Sequence, residues 1–484
     1  MLIFVITLFT VAIYLSIINN LIIIDDIRWL PNAKKGGKGE GFHKGNIIRR
    51  IRFRLYGIGT LWNNKWSDER NIKIDHALTI ALHAVASSLI YIAFGSNLIS
   101  FSAAILYSCN PINNQTAIWS NGRRYLINVI LILSILIFKP LIVILYPMSF
   151  LFHFTAFASP ILLGWWGVPL MLIGVVAAYK PFKAKVDIRL GNIHSKELKS
   201  FAPKRLIPMT KIYGFYIFKM IFPGTTRMIY PDLYFWGITE DGNKDAYALN
   251  GAFWRGVVAI SGSIAGCFFF KGPTLFMWLF LCVSVAQWCI FAFSAVQGLA
   301  DRYISASTPF MMFFLATFIH TFAGVYAGPI IACLIVYYVS MLTISFDMYK
   351  DIHAFYNYHI YHDPKHPAVR HLKASWKILS NRPMEAWPLL AQGLEHCPND
   401  FRLNLAASEC CFMFRDAVGI KHFIDRCEKN YYIGQEKVMA PRIKAIKDKA
   451  GISAFEDEVE LIKQGKSKLP ANERKRILDA AGVK

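Results

Sequence analysis

The residues of this chain whose type and setting suit chemistry fall in a few short runs. Asp25-Asp26 places two adjacent carboxylates where an apolar stretch ends. Ionised groups are costly near lipid and are functional candidates by default. A carboxylate there can act as general base toward an acceptor hydroxyl, or simply mark the water interface. Asn110-Pro111-Ile112-Asn113-Asn114-Gln115 leads into Trp119-Ser120-Asn121-Gly122-Arg123-Arg124. Guanidinium groups suit bidentate phosphate recognition; the plainer role is interface anchoring by snorkelling arginines and Trp119. In Asp301-Arg302-Tyr303, Arg302 can hold a phosphate or pair with Asp301. Lys211, Tyr216, Lys219, Pro223 and Tyr230-Pro231 bracket a further apolar segment.

His76 and His83 are seven residues apart, on one helix face and two turns separated. Metal-ligating pairs sit at i, i+3 or i, i+4, so packing or hydrogen bonding is the expected role. His353, His359, His362, His366 and His371 crowd one junction without carboxylate or cysteine spacing. They read as a wet interfacial linker rather than a metal patch. The nine cysteines form no CxxC pair. Cys109, Cys267, Cys282, Cys289 and Cys333 lie in apolar runs, while Cys397, Cys410, Cys411 and Cys427 lie in the tail and can pair only in an oxidising compartment.

The elements that carry these residues are apolar. The chain has 484 residues, 55% hydrophobic and only 17% charged, against about 25% charged in soluble domains. The deficit is concentrated in 1–346, which predicts ten or eleven spans of about 20 residues, all helical because the backbone must satisfy itself in lipid. They are expected near 2–24, 75–95, 97–112, three within 125–178, 207–222, 254–270, 273–297, 306–323 and 325–346. Met1 to Ile24 has neither a basic leader nor a small-residue cleavage site and reads as a retained first span. Residues 347–484 have the composition of a soluble helical tail. There Ala386, Leu390, Gly393 and Pro398 match the second helix of a tetratricopeptide repeat, with a weaker second repeat from Leu403. A plain helical hairpin domain is the competing reading of that tail.

The net charge is +22. No nucleic-acid-binding signature accompanies it, so basic loops meeting lipid headgroups are the expected explanation, and no nucleic-acid partner is expected. With the N-terminus inside, 180–211, with nine Lys/Arg against two acids, falls inside, as the positive-inside rule expects. Asp25-Asp26, 110–124, 223–252, Asp301-Arg302 and the tail then share the outer face. Loop 25–74 falls there too and objects, with twelve Lys/Arg against five acids.

Taken in order, five pieces carry a family resemblance. They are Asp25-Asp26, DHALTIALHA with His76 and His83, NPINNQTAIWSNGRRYL from Asn110, KIYGFYIFKMIFP with Tyr230-Pro231 after it, and ADRYI from Ala300, followed by tetratricopeptide-like helices. The chain resembles the transmembrane-and-tetratricopeptide family of O-mannosyltransferase-like proteins, which is similar to the protein O-mannosyltransferases and the wider GT-C glycosyltransferases. The resemblance implies an all-α GT-C bundle over 1–346 and a repeat tail over 347–484. It implies an inverting glycosyltransferase that moves mannose or a similar hexose from a polyprenyl-phosphate donor to a hydroxyl acceptor, on a protein or glycan, at the non-cytoplasmic face. Asp26 and Asp25 inherit the base role. Arg123, Arg124 and Arg302 inherit the donor phosphate, with His76, His83, Asn110, Gln115, Gly122, Asp301 and Tyr303 in support. Whether a divalent metal joins the acidic pair is open. The first-choice setting is a bacterial inner membrane with the site and tail on the periplasmic side, the endoplasmic reticulum and a viral genome being alternatives. Asn110, Asn113 and Gln115 replace a His, a His and an acid frequent in the family, and the Arg of a Tyr-Arg-Pro stretch has no match. These departures motivate the alternative, a non-catalytic membrane scaffold that binds a partner through its tail. A transporter is disfavoured because no inverted repeat is evident.

Overall fold

The computed structural model describes residues 1–19, 69–118, 122–152, 154–176, 206–224, 249–289, 301–350, 352–362, 367–429 and 436–480. Every regular element among them is helical. They fall into two compact units, one ending at His362 and one beginning with Pro367.

The first unit holds α1 (Leu2–Tyr14), α2 (Glu69–Ala93), α3 (Leu98–Cys109), α4 (Asn114–Ile118), α5 (Arg123–Ile137), α6 (Ile142–Phe152), α7 (Leu206–Ile221), α8 (Gly251–Phe269), α9 (Gly272–Cys289), α10 (Thr308–Ala323), α11 (Ala327–Phe346) and α12 (Ile352–His362). Among the described residues, five helical stretches are long and apolar enough to cross a membrane: His76–Ala93, Ala156–Val176, Gly251–Phe269, Gly272–Cys289 and Thr308–Tyr349. A bent pair, Pro111–Ile118 with Arg123–Ile137 at 110°, makes a sixth if counted as one broken span. Leu2–Ile18, Leu98–Cys109 and Lys139–Ser149 are apolar but shorter. This is the architecture of an integral membrane protein.

Among the described residues the apolar helices lie where the spans are expected from hydropathy, and the 42-residue stretch Thr308–Tyr349 holds two of those expected spans. Several of the other apolar helices are shorter than crossing length. Local chemistry cuts the others short. Asn97 opens α3 with a capping box to Ser100, and Asn110-Pro111 ends it, Pro disfavouring a helical residue before it. Lys139-Pro140 separates α5 from α6 through a single 3₁₀ turn.

The core of this unit gathers around the break after α3. Residues 109–118 are all buried. Irregular backbone at membrane depth is tolerated where protein buries it or where it lines a cavity. Helix α7 is held by backbone contact with α8, since a Cβ at Gly214 would strike Gly256 and one at Gly256 would strike Thr210. Small residues allow such close helix approach in lipid. The last carbonyls of α7 have no partner within the helix. Asn110 Nδ2 donates to the Met220 carbonyl at 2.9 Å, and Tyr338 Oη donates to the Ile221 carbonyl at 2.7 Å. Both contacts fix the end of α7 that carries Lys219.

The second unit is a run of antiparallel helix pairs: α13 (Pro367–Leu379) with α14 (Pro383–His396), α15 (Phe401–Phe414) with α16 (Ala417–Lys429), and α17 (Glu436–Lys449) with α18 (Ile452–Lys463), followed by α19 (Ala471–Ala480). Successive pairs begin 34 and then 35 residues apart. Ala386, Leu390 and Gly393 are buried with Leu403, Ala406, Ala407 and Cys410. At Gly393 a Cβ would press on the Leu403 side chain, which explains the small residue there. Asp400 caps α15 by accepting from the Leu403 N–H at 2.9 Å. All nine cysteines are free thiols, and none of the tail cysteines is paired.

Candidate functional site

Most of the polar residues singled out from the sequence within the first unit are deeply buried where they are described, Arg124 being half-buried. Arg123, Lys211, Lys219, Asp301 and Arg302 are each no more than 7% exposed. An ionised group in such a setting persists only with compensating charge and hydrogen bonds. The first unit is thus built around a polar interior, assembled from four sequence-distant pieces.

Two of the motifs meet at Gln115. Arg302 Nη1 donates to Gln115 Oε1 at 3.1 Å. On the other side, a Cβ at position 122 would run into the Gln115 carbonyl oxygen and Thr116 Cα, so only glycine lets the start of α5 approach α4 this closely. Gly122 in turn sets Arg123, whose Nε and Nη2 both donate to Thr79 Oγ1, at 3.1 and 2.9 Å. Thr79 stands three residues after the buried His76 on α2, on the same helix face.

Asp301 faces Lys219 Nζ at 3.8 Å. Tyr303 stacks flat on Trp288, with centroids 4.0 Å apart and planes 7° from parallel. Arg302 Cζ lies 5.0 Å from the Tyr303 ring centre. The 3₁₀ turn Asp301–Ile304 therefore spends each side chain on a different neighbour: Asp301 on α7, Arg302 on α4 and Tyr303 on α9.

The remaining expected residues are placed elsewhere. Arg124 turns away from Arg123, donating to Tyr125 Oη at 3.2 Å and resting 4.8 Å from that ring's centre. Asn110 is fully committed to structure, since its Oδ1 caps the Ile112 N–H at 3.0 Å while its Nδ2 holds α7. His83 sits apart, with Nε2 3.2 Å from the Ser108 carbonyl and its ring between Tyr14 and Tyr107. His359 Nδ1 is 2.8 Å from the Phe355 carbonyl, and among the described residues no three His, Cys, Asp or Glu groups converge as a metal site. Asp25 and Asp26 lie outside the described residues, as do His366 and most of loop 25–74.

Sequence reasoning missed three participants as partners in the site. Thr79 and Trp288 carry no signal of their own, being common residues in apolar helices. Lys219 had one, a cation in the apolar run from Phe215 to Pro223. A fourth feature is a cavity of about 400 Å³ between α7, α8 and α9, with almost entirely apolar walls that include Tyr213, Ile264, Cys282, Val283 and Cys289. Tyr213 Oη and Ser263 Oγ are 2.7 Å apart. Cys289 adjoins Trp288 in sequence, so the cavity ends one residue from the indole that stacks on Tyr303.

What the arrangement can do chemically follows from its charges. Among the described residues of the first unit, four cations, Arg123, Lys211, Lys219 and Arg302, and one carboxylate, Asp301, are buried in a low-dielectric interior, with Lys219 facing Asp301. Such an interior favours an anion and strengthens each contact made to it. No protein-family model, curated protein or solved structure matches this chain.

Proposed function

We propose that this protein is a GT-C-type membrane glycosyltransferase that uses a polyprenyl-phosphate-linked hexose as donor, with Arg302 and Arg123 stabilising the departing lipid phosphate. The observation that carries the reading is the meeting of the Gly122-Arg123 and Asp301-Arg302 motifs at Gln115. Guanidinium groups match phosphate geometry, and fixed cations stabilise charge that develops on a leaving group. The apolar cavity between α7, α8 and α9 supports a lipid-borne substrate, offering a hydrocarbon-like lining in the same unit as the buried cations. Asp26 or Asp25 would take the proton from the acceptor hydroxyl, which attacks the anomeric carbon from the face opposite the phosphate. The C–O bond to the phosphate breaks as the new glycosidic bond forms. That assignment rests on the family resemblance. We read the tail as tetratricopeptide-like, a reading supported by its 34-residue helix-pair period, and as the element that selects a protein or glycan acceptor. The site and the tail are assigned to the non-cytoplasmic face, of a bacterial inner membrane as first choice.

One observation favours the scaffold reading. Asn110 and Gln115, where the family often has His and an acid, are carboxamides engaged in structural hydrogen bonds. The two readings separate in a single assay. Purified protein in proteoliposomes is given polyprenyl-phosphate hexoses, and donor turnover is followed by thin-layer chromatography. The enzyme reading expects turnover, lost in Asp26→Asn or Asp25→Asn at normal expression. Absence of turnover with every donor, in protein that is folded, favours the scaffold. Full turnover by both Asp variants sinks the base assignment.

A further inference from the structure

In the second unit, α13 ends and α14 begins at one edge, and α15 ends and α16 begins at the same edge, because the pairs are antiparallel. The turns there are expected to be polar. Instead Leu379 is 86% exposed, Met384 76% and Val418 81%, and Trp387, Phe412 and Phe414 are also exposed. Leu461 is a further exposed large hydrophobic residue of the unit. The opposite α14–α15 turn, Cys397-Pro398-Asn399-Asp400, exposes Pro398 and Asn399 instead. Trp387 packs edge-on against Phe414, with centroids 6.4 Å apart, and so joins α14 to α15 at this edge. Monomeric surfaces rarely gather this much apolar area without a partner.

The rim indicates which partner. Arg382 and Arg415 are exposed beside the patch. Its two carboxylates have local work: Glu385 pairs with Lys377 and Arg382, and Asp416 caps the Gly419 N–H at 2.9 Å. Exposed aromatic and aliphatic side chains beside arginines match the headgroup layer of an anionic membrane, where Trp sits well and nearby cations are attracted to lipid phosphates. The chain itself supplies the membrane. Helix α11 ends at Phe346, so this edge is tethered to a bilayer by the stretch 347–378, which raises the effective lipid concentration.

We propose that the edge formed by Leu379, Met384, Trp387, Phe414 and Val418 is a membrane-surface docking site that inserts into the headgroup layer of an anionic bilayer. The proposal needs only that the first unit spans a membrane, and stands whether or not the protein transfers sugar. The test uses the full chain in single-copy nanodiscs, with p-benzoylphenylalanine placed at Leu379, at Val418 or, as control, at Asn399. All three positions are exposed, so folding is spared, and size-exclusion profiles check it. Irradiation should give lipid adducts at 379 and 418 several-fold above those at 399. The adducts should fall several-fold without phosphatidylglycerol, and in the Arg382→Glu/Arg415→Glu variant. Adducts no higher than at 399, adducts indifferent to lipid charge, or covalent dimers in discs loaded with two copies would each overturn it. The last outcome would assign the edge to a second copy instead.

Discussion

Arg302 and Gln115 lie 187 residues apart and are joined by two buried hydrogen bonds, the Arg302 backbone N–H and Nη1 both donating to Gln115 Oε1, at 3.4 and 3.1 Å. The Nη1 bond aims the guanidinium of the Asp-Arg-Tyr turn at the break between α3 and α5. Replacing Gln115 with Leu removes the acceptor and strands a buried charge-assisted donor, at a cost of about 1.5–3 kcal/mol. Melting in detergent should drop by several degrees, and donor turnover should fall. Gln115→Glu keeps an acceptor and should melt at or above the wild-type temperature. If Gln115→Leu melted like the wild type, the bonds would have no structural weight.

Gly122 tests the second contact at Gln115. Any Cβ there meets the Gln115 carbonyl and Thr116, so Gly122→Ala should destabilise by about 1–3 kcal/mol, typical of overpacking. Gly262→Ala in α8, with open space around the new methyl, is the matched control and should be neutral or slightly stabilising. Equal melting temperatures for the two variants would contradict the close approach.

The first two predictions concern contacts only partly legible in the sequence. Helical class, the place of each apolar segment and the tail boundary region follow from charge depletion and Pro/Gly punctuation. The breaks at Asn110-Pro111 and Lys139-Pro140 are legible too, because Pro stops a helix locally. Arg123, Arg302 and Asp301 stood out because ionisable residues are rare in apolar runs. Their partners did not: Thr79, Trp288 and the Gln115 oxygen are fixed by packing between segments far apart in sequence. Arg123 and Arg124 look equivalent in sequence, yet one helix step of 100° sends Arg123 to Thr79 and Arg124 to Tyr125.

Asp301 and Lys219 form a buried pair at 3.8 Å. Removing one partner leaves a charge in a poor medium, with losses of about 3–5 kcal/mol in buried pairs. Asp301→Asn and Lys219→Met should each lower the yield of folded protein. The double variant should recover part of that loss, measured as monodisperse protein after solubilisation. Strict additivity would show that the two side chains do not act on each other.

The tail carries a pH dependence at Asp400. Burial raises its carboxyl pKa, but Arg402 at 3.2 Å, the Leu403 N–H and His371 together hold it below the usual carboxylate range. A carboxyl depressed on folding adds stability above its unfolded pKa, about 3.9, and loses it as pH falls through the folded value. Hydrogen exchange of the α15 amides should therefore quicken below about pH 4. In Asp400→Asn exchange should be faster at neutral pH, and the gap to wild type should close in acid. A gap independent of pH would contradict the assignment.

Tail thiols supply a further check on the fold. Burial pushes the Cys410 thiol up to about 11, and burial with Asp416 and Cys410 nearby pushes Cys411 up to about 12. Since the thiolate is the reactive form, iodoacetamide at mildly alkaline pH should leave both unmodified in folded protein and label both after denaturation, read by mass spectrometry. Rapid labelling of folded protein would contradict their burial.

The central claim is a cationic site for a lipid phosphate, and binding tests it most directly. Native mass spectrometry of the purified chain with polyprenyl phosphate should show a retained lipid. Arg302→Ala and Arg123→Ala should weaken that retention at least tenfold, while Arg255→Ala, a substitution at an exposed position of α8, should leave it unchanged. Equal retention by wild type and both site variants would contradict the account.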